Sequence, residues 1–154
     1  MSEQVFTSCT SEGPIQVYVR DGKVVRIRPL IADAKDFDQA RAKKLADRYF
    51  AVRHLLIGAW YPLLPYSRGL TDWTGSQYHR ADLDEGMLLV FRRANSPYRV
   101  VDAALRGLDP NSRYEVVSDA AGVLGTFAGD ELSRGFQITL PNKHSSDLII
   151  YRRK

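Results

Sequence analysis

The feature that most constrains the fold is a series of seven short apolar segments between residues 73 and 152. Turn-forming residues separate them, as at Asp84-Glu-Gly86 and Gly107-Leu-Asp-Pro110. Short segments at this spacing, divided by such residues, are typical of antiparallel strands in a sandwich. We therefore predict an antiparallel β-sandwich over residues 73–154, with strands at 73–79, 87–93, 98–105, 113–118, 123–127, 136–140 and 147–152.

A β-hairpin is predicted near the start of the chain. Residues 15–28 alternate apolar and polar side chains on both sides of Asp21-Gly22. That dipeptide suits a two-residue type I′ turn, because both central positions of such a turn need positive φ. Pro14 lacks an N–H group and fits only at the start or the edge of a strand. We assign residues 1–35 to an N-terminal hairpin extension.

One long amphipathic helix is predicted over residues 36–58. Asp36 and Gln39 have the spacing of a capping pair, and Gly58 suits the helix end. Apolar residues recur between them at helical spacing: Ala42, Leu45, Ala46, Tyr49, Val52 and Leu56. Residues 59–72 then form a linker rich in proline and aromatic residues. The fold class is therefore mainly β (α+β), a sandwich preceded by a hairpin and a helix.

Composition narrows the classes of partner. The chain has 154 residues, too few for a catalytic barrel of about 250 residues. The net charge of +4 arises within residues 38–68, where six basic residues accompany two acidic ones. A solvated helix face accounts for this excess, so we expect no nucleic-acid partner.

No apolar run reaches the ~20 residues of a membrane span, so we expect no contact with a membrane. The N-terminus lacks a secretory pattern, which favours a cytoplasmic location.

No group of residues predicts a catalytic site. The carboxylates Asp82, Asp84 and Glu85 fall in a predicted turn, where acidic residues are favoured for backbone reasons. Cys9 is the only cysteine, and nothing near it in sequence would lower its pKa. The histidines are far apart and share no metal-ligand spacing with Cys9: His54, His79 and His144. We expect no metal, no cofactor and no catalysis by this chain alone.

Aromatic residues cluster where the helix meets the sheet. Trp60, Tyr66 and Trp73 are the candidate carbohydrate-binding residues, because aromatic faces stack on the C–H surfaces of sugars. Large aromatic rings beside prolines at such a boundary also build hydrophobic core. Exposure of the rings would favour binding, whereas burial would favour packing.

Residues 38–154 resemble the end of an α-galactosidase of glycoside hydrolase family 36. The similarity lies in the run from His54 to Ser67, which contains Tyr61-Pro-Leu-Leu-Pro-Tyr66, in the run from Asp84 to Arg93, and in the stretch from Leu105 to Val117. It continues through Gly135–Pro141 and Leu148–Tyr151. This resemblance implies the last helix of a catalytic barrel followed by a C-terminal antiparallel β domain. The barrel strands that carry the family's catalytic aspartates have no counterpart here.

Residues 5–30 resemble the start of a molybdopterin oxidoreductase of the transhydroxylase type. The similarity lies in Gly13-Pro-Ile-Gln-Val-Tyr-Val-Arg-Asp-Gly-Lys23. The cysteine cluster of an iron–sulfur centre is absent from this segment, which contains Cys9 alone. Two resemblances on one short chain suggest a fusion.

The leading hypothesis is a noncatalytic C-terminal accessory domain of an α-galactosidase-like glycoside hydrolase. Its partner would be a catalytic barrel, or a second copy that associates through the helix and the aromatic junction. The first alternative is a free-standing module that binds carbohydrate or protein. The second alternative is a remnant of a molybdopterin oxidoreductase N-terminus.

Overall fold

The computed structural model describes residues 4–10, 13–29 and 38–154. The chain divides into two compact units, Met1–Leu45 and Ala46–Lys154. The mainly β class is confirmed, and every strand pair in the described residues is antiparallel. No helix in these ranges is both long and apolar enough to cross a membrane.

The first unit contains a three-stranded sheet. Its strands are β1 (Gln4–Thr10), β2 (Gly13–Arg20) and β3 (Lys23–Pro29), in the order β1-β2-β3. The predicted β2–β3 hairpin is confirmed, since Asp21 and Gly22 have φ of 50° and 73°. Pro14 lies at the start of β2, opposite Cys9. Strand β1 was not predicted, because its sequence QVFTSCT does not alternate apolar and polar residues.

Helix α1 spans Gln39–Val52, and a 3₁₀ turn at Arg53–Leu55 follows it. The capping pair that we predicted includes Asp36, which lies outside the described residues. Asp38 acts at the observed start, where its Oδ1 accepts a hydrogen bond of 2.8 Å from the backbone N–H of Arg41. At the other end, the N–H of Gly58 donates to the carbonyl of Leu55 over 3.1 Å.

The second unit is built on a six-stranded sheet in the order β4-β5-β6-β11-β8-β9, with a two-stranded sheet formed by β7 and β10. The strands are β4 (Ala59–Pro62), β5 (Trp73–Arg80), β6 (Glu85–Arg92), β7 (Val100–Ala103), β8 (Arg113–Ser118), β9 (Gly122–Ala128), β10 (Phe136–Thr139) and β11 (Ser145–Arg153). A short helix, α2 (Gly129–Arg134), connects β9 to β10. Strands β5 to β11 overlap the seven predicted strands.

Strand β4 lies within the segment predicted to be a linker. It forms one edge of the large sheet, where Trp60 pairs with Tyr78 of β5. Pro62 ends the strand, a position that an edge tolerates because a missing N–H donor breaks no ladder there. At the opposite edge, a register shift separates Val116 from Val117 in the β8–β9 pair, and Gly125 of β9 has φ of 144°.

Hydrophobic clusters cover both faces of the large sheet. Successive residues of a strand point to opposite faces, so Leu88 of β6 belongs to the larger cluster and Met87 to the smaller one. The smaller cluster includes Val52 and Leu55 from the end of the helical segment. The apolar stripe predicted on the helix is thus covered only at this end, and Leu45 is 62% exposed. Other members of the larger cluster are Trp73, Val90, Tyr114, Val116, Phe136, Ile138, Ile149 and Tyr151.

Candidate functional site

Two carboxylates of the acidic turn are neutralised by basic neighbours. Asp82 accepts hydrogen bonds of 2.7 and 2.5 Å from the Arg80 guanidinium, and this contact lowers the pKa of the carboxyl to about 2. Glu85 lies 2.6 Å from Nε2 of His54 and 2.9 Å from Nε of Arg152. The Asp82 pair is thus local to the turn, whereas Glu85 links β6 to the 3₁₀ turn through His54 and to β11 through Arg152.

The third carboxylate, Asp84, is also occupied. Its Oδ1 accepts a 2.6 Å hydrogen bond from the hydroxyl of Tyr114, and its Oδ2 lies 3.1 Å from the guanidinium of Arg153. Asp84 has φ of 49°, which places it in the left-handed region of a turn. The turn interpretation therefore accounts for all three acidic residues by contacts within the domain.

A polar network lies in the core of the second unit. Nε2 of Gln77 donates to the hydroxyl of Tyr151 over 2.8 Å and to the carbonyl of Arg106 over 2.7 Å. Nδ1 of His79 lies 3.1 Å from the same hydroxyl, and the two rings stack with centroids 5.9 Å apart. Burial raises the pKa of Tyr151 above its ordinary value and lowers the pKa of His79. Both groups are thus held neutral inside the protein.

Hydrogen-bond geometry assigns the tautomer of His79. The Tyr151 hydroxyl accepts a hydrogen bond from Gln77, and it donates its own proton to Nδ1 of His79. The imidazole proton then sits on Nε2, which is buried and has no hydrogen-bond partner in the described part of the chain. Gly107 leaves room for this ring, since a methyl group there would lie 2.7 Å from Cδ2 of His79. His79 is 2% exposed, so the network serves the core and has no access to a substrate.

The three predicted aromatic residues have different environments. Trp60 is 57% exposed and Tyr66 is 85% exposed, whereas Trp73 is 6% exposed and belongs to the larger core cluster. Trp60 pairs with Tyr78, which is five residues from Trp73 on the same strand. Alternation along the strand therefore puts Trp60 and Trp73 on opposite faces of the sheet. Carbohydrate binding by these residues stays a prediction.

A groove of about 390 Å³ opens beside Trp73. Its walls come from the connection between β4 and β5 and from the chain that enters β7. Tyr98, which is 70% exposed, lies at this groove and was not singled out as a site residue, because the sequence places it only at the start of the predicted strand 98–105. The lining residues are Leu64, Pro65, Ser67, Thr71, Asp72, Trp73, Tyr98, Val100 and Val101.

A second surface feature is the apolar segment 49–60, called here the 49–60 surface. Large apolar side chains in it are exposed: Tyr49 (53%), Phe50 (58%), Leu56 (38%), Ile57 (79%) and Trp60 (57%). The rings of Tyr49 and Phe50 meet edge to face, with centroids 5.6 Å apart. Exposed apolar groups at this density mark interaction surfaces more often than free surface.

Comparisons with known proteins agree with both resemblances seen in the sequence. Residues 13–43 match the family profile described as pyrogallol hydroxytransferase large subunit-like, domain 1. No curated protein matches the chain. Among solved structures, a family 36 α-galactosidase from Geobacillus stearothermophilus is 26% identical, with a TM-score of 0.60. The match covers 79% of this chain and 17% of that chain.

Two further structures support the same fold. The α-galactosidase from Lactobacillus brevis is 20% identical with a TM-score of 0.61, and the match covers 79% of this chain and 18% of that one. Another family 36 enzyme from G. stearothermophilus, solved in complex with stachyose, is 24% identical with a TM-score of 0.59 and matches over 79% and 17% of the two chains. Most of the chain has the fold of the C-terminal domain of a family 36 α-galactosidase.

The C-terminal domain is a minor part of those enzymes. The chain spans 17–18% of the length of the α-galactosidases that it matches. The resemblance predicted from residues 38–154 is therefore confirmed at the level of fold, and it concerns one part of those α-galactosidases.

Proposed function

We propose that this chain is a noncatalytic accessory domain that packs against the catalytic domain of an α-galactosidase-like glycoside hydrolase. The observation that carries the proposal is the exposed 49–60 surface on a domain with the C-terminal fold of family 36. The smaller core cluster fixes the inner side of the helical segment through Val52 and Leu55, which turns other side chains of that segment outward.

Burial of this surface would favour the packing of a second domain against it. Ile57 is 79% exposed, and burying such a side chain contributes roughly 1.5–2 kcal/mol. Phe50 and Trp60 are each more than half exposed and add comparable amounts. In an isolated chain, the same surface favours association between copies. The proposed domain comprises the helix, the junction and the sandwich.

A chimera tests the proposal. In the G. stearothermophilus enzyme that is 26% identical to this chain, the C-terminal domain is replaced by the corresponding residues of this chain. The rate of α-galactoside hydrolysis and the melting temperature of the catalytic barrel are then measured. We expect the chimera to hydrolyse the substrate and to melt above the same barrel without a C-terminal domain. Ile57→Glu in the chimera should lower this melting temperature, because it places a charge in the interface.

The matched control is Val123→Glu. Val123 is 69% exposed and lies on β9, at the edge of the large sheet opposite β4, so this change should leave the chimera unaffected. The proposal fails if the chimera folds but is no more stable than the bare barrel, or if both substitutions have equal effects. Release of galactose by this chain alone would contradict its noncatalytic role.

A second proposal concerns the evolutionary origin of the first unit. Its match to the pyrogallol hydroxytransferase-like profile over residues 13–43 supports descent of this hairpin from a molybdopterin enzyme. The chain would then be a fusion of two parts with separate histories. A cytoplasmic location stays a prediction.

A further inference from the structure

We propose that the groove beside Trp73 binds the ring of a neutral pyranoside. This site is separate from the proposed interface, since no residue of the 49–60 surface lines it. Its volume of about 390 Å³ falls within the range of small-molecule sites. The proposal depends on three features of the groove, which are a fixed aromatic ring, a fixed loop and an open carboxylate.

The aromatic wall is held in place through its backbone. Nε1 of Trp73 donates a 3.1 Å hydrogen bond to the carbonyl of Tyr98, and Oγ of Ser96 lies 3.4 Å from the same oxygen. Trp73 itself is 6% exposed, so the anchor belongs to the core. The Tyr98 ring, at 70% exposure, is thus presented to solvent from a rigid support. An exposed ring of this kind offers a flat apolar face to the C–H groups of a sugar.

The opposite wall, residues 67–72, is fixed by the end of β6. The guanidinium of Arg93 donates to the carbonyl of Gly69 over 2.6 Å and to that of Ser67 over 3.0 Å. The N–H of Asn95 donates to the carbonyl of Leu70 over 3.0 Å. A loop held in this way loses little freedom when a ligand binds, which favours affinity for a small molecule.

The polar corner of the groove selects the class of ligand. The hydroxyl of Ser67 donates to Oδ2 of Asp72, while Oδ1 of Asp72 has no hydrogen-bond partner among the described residues. Thr71 adds a hydroxyl to the same corner. A carboxylate with an open oxygen accepts hydrogen bonds from sugar hydroxyls.

The remaining lining is apolar, with Leu64, Pro65, Val100 and Val101. A pyranoside has one face of C–H groups and an edge of hydroxyls, and this combination matches an apolar groove with a polar corner. A small organic cation is the competing ligand, because it would also be attracted to Asp72. The cation is disfavoured because, among the residues that the structure describes, Tyr98 is the only strongly exposed aromatic ring lining the groove. A quaternary ammonium site uses several rings.

The test uses saturation-transfer NMR on the full chain with methyl α-galactopyranoside, methyl α-glucopyranoside and tetramethylammonium. We expect at least one pyranoside to bind with a Kd on the order of 1 mM. Tyr98→Ala should weaken that binding about tenfold through loss of the stacking face. Asp72→Asn should weaken it by a similar factor, about tenfold, because the charged acceptor is lost while the shape is kept.

Phe91→Ala is the matched control, because it removes a partly exposed aromatic ring that lies next to Trp73's pairing position but does not line the groove. It should leave the Kd unchanged. The proposal is overturned if neither pyranoside binds at about 20 mM, well above the expected Kd. It is also overturned if tetramethylammonium binds in place of the sugars, or if Phe91→Ala abolishes binding while Tyr98→Ala does not. None of these outcomes bears on the chimera experiment, so the two proposals fail separately.

Discussion

Tyr151→Phe isolates the contribution of the buried polar network to stability. The change removes one hydroxyl that accepts from Gln77 over 2.8 Å and lies 3.1 Å from Nδ1 of His79. The change also leaves one of the two amide N–H groups of Gln77 without its acceptor, while the other keeps its 2.7 Å hydrogen bond to the carbonyl of Arg106. Nδ1 of His79 is left buried without a partner as well, so both groups contribute to the cost.

The expected loss follows from these contacts. An unsatisfied buried polar group together with a lost hydrogen bond costs about 2 kcal/mol. In a protein of this size that corresponds to a fall in melting temperature of about 4–8 °C. The ring of Tyr151 packs against Tyr114, with centroids 6.0 Å apart, and phenylalanine keeps this contact. The loss therefore measures the hydroxyl and not the ring.

Urea unfolding followed by tryptophan fluorescence provides the assay. The chain has two tryptophans, Trp60 and Trp73, and both lie in the second unit. The signal therefore reports the unfolding of that unit alone. Tyr98→Phe is the control, because Tyr98 is 70% exposed and loss of its hydroxyl should change the free energy of unfolding by less than about 0.5 kcal/mol.

A double-mutant cycle with Gln77→Leu sharpens the result. Because Gln77 and Tyr151 share a hydrogen bond, the two changes should be non-additive by about 0.5–1 kcal/mol. Equal stability of Tyr151→Phe and the wild type would refute the reasoning. So would a cost no larger than that of Tyr98→Phe, since it would mean that the hydroxyl contributes nothing to the core.

Three further predictions concern the same core. Burial lowers the folded-state pKa of His79, so the unfolded chain binds more protons than the folded chain below about pH 6.5. The free energy of unfolding should therefore fall as the pH drops below that value. His79→Gln should flatten this dependence in urea titrations between pH 8 and 5. Gly107→Ala should lower the free energy of unfolding by more than about 2 kcal/mol in thermal melting, because Gly107 has φ of 81° and the added methyl would meet the His79 ring. Gly22→Ala is the control: its methyl enters open space, so it carries only the cost of the turn conformation. Arg92→Lys should lower the free energy of unfolding by about 2–4 kcal/mol. The 3% exposed guanidinium donates to three backbone carbonyls, which an ammonium group cannot reach together. An unchanged midpoint of urea unfolding would contradict this prediction.

The sequence predicts most of the strands because their signals are local. Turn residues mark the ends of β5 to β11, and Asp21-Gly22 specifies a turn with two positive φ angles. The end of α1 was harder to place, since the chain tightens into a 3₁₀ turn after Val52 without any proline or glycine. Strand β4 was missed because its pairing with β5 is a long-range contact, and its Trp-Tyr-Pro sequence indicates a linker equally well.

Surface features were less predictable than the fold. The prominence of Trp73 in the sequence gives no sign that its ring is buried, because burial depends on the distant strands that pack over it. Tyr98 was predicted only as the first residue of the strand 98–105, and nothing in the sequence indicated that its ring is exposed at a groove. The carboxylate of Asp72 likewise owes its position to a loop that Arg93 holds. Strands β5 and β6 separate that loop from Arg93 in the sequence, so no local pattern indicates the contact.

The two outer strands of the large sheet bear on how this protein behaves at high concentration. A long, flat edge invites strands from other molecules to pair with it and so promotes aggregation. Here β4 is four residues long and ends at a proline, and β9 is distorted by the register shift and the unusual backbone of Gly125. Both edges are therefore poor templates for intermolecular pairing, even though β9 exposes Val123 and Leu124. Crowded solutions of this chain should be limited by contacts between side chains and not by growth of the sheet.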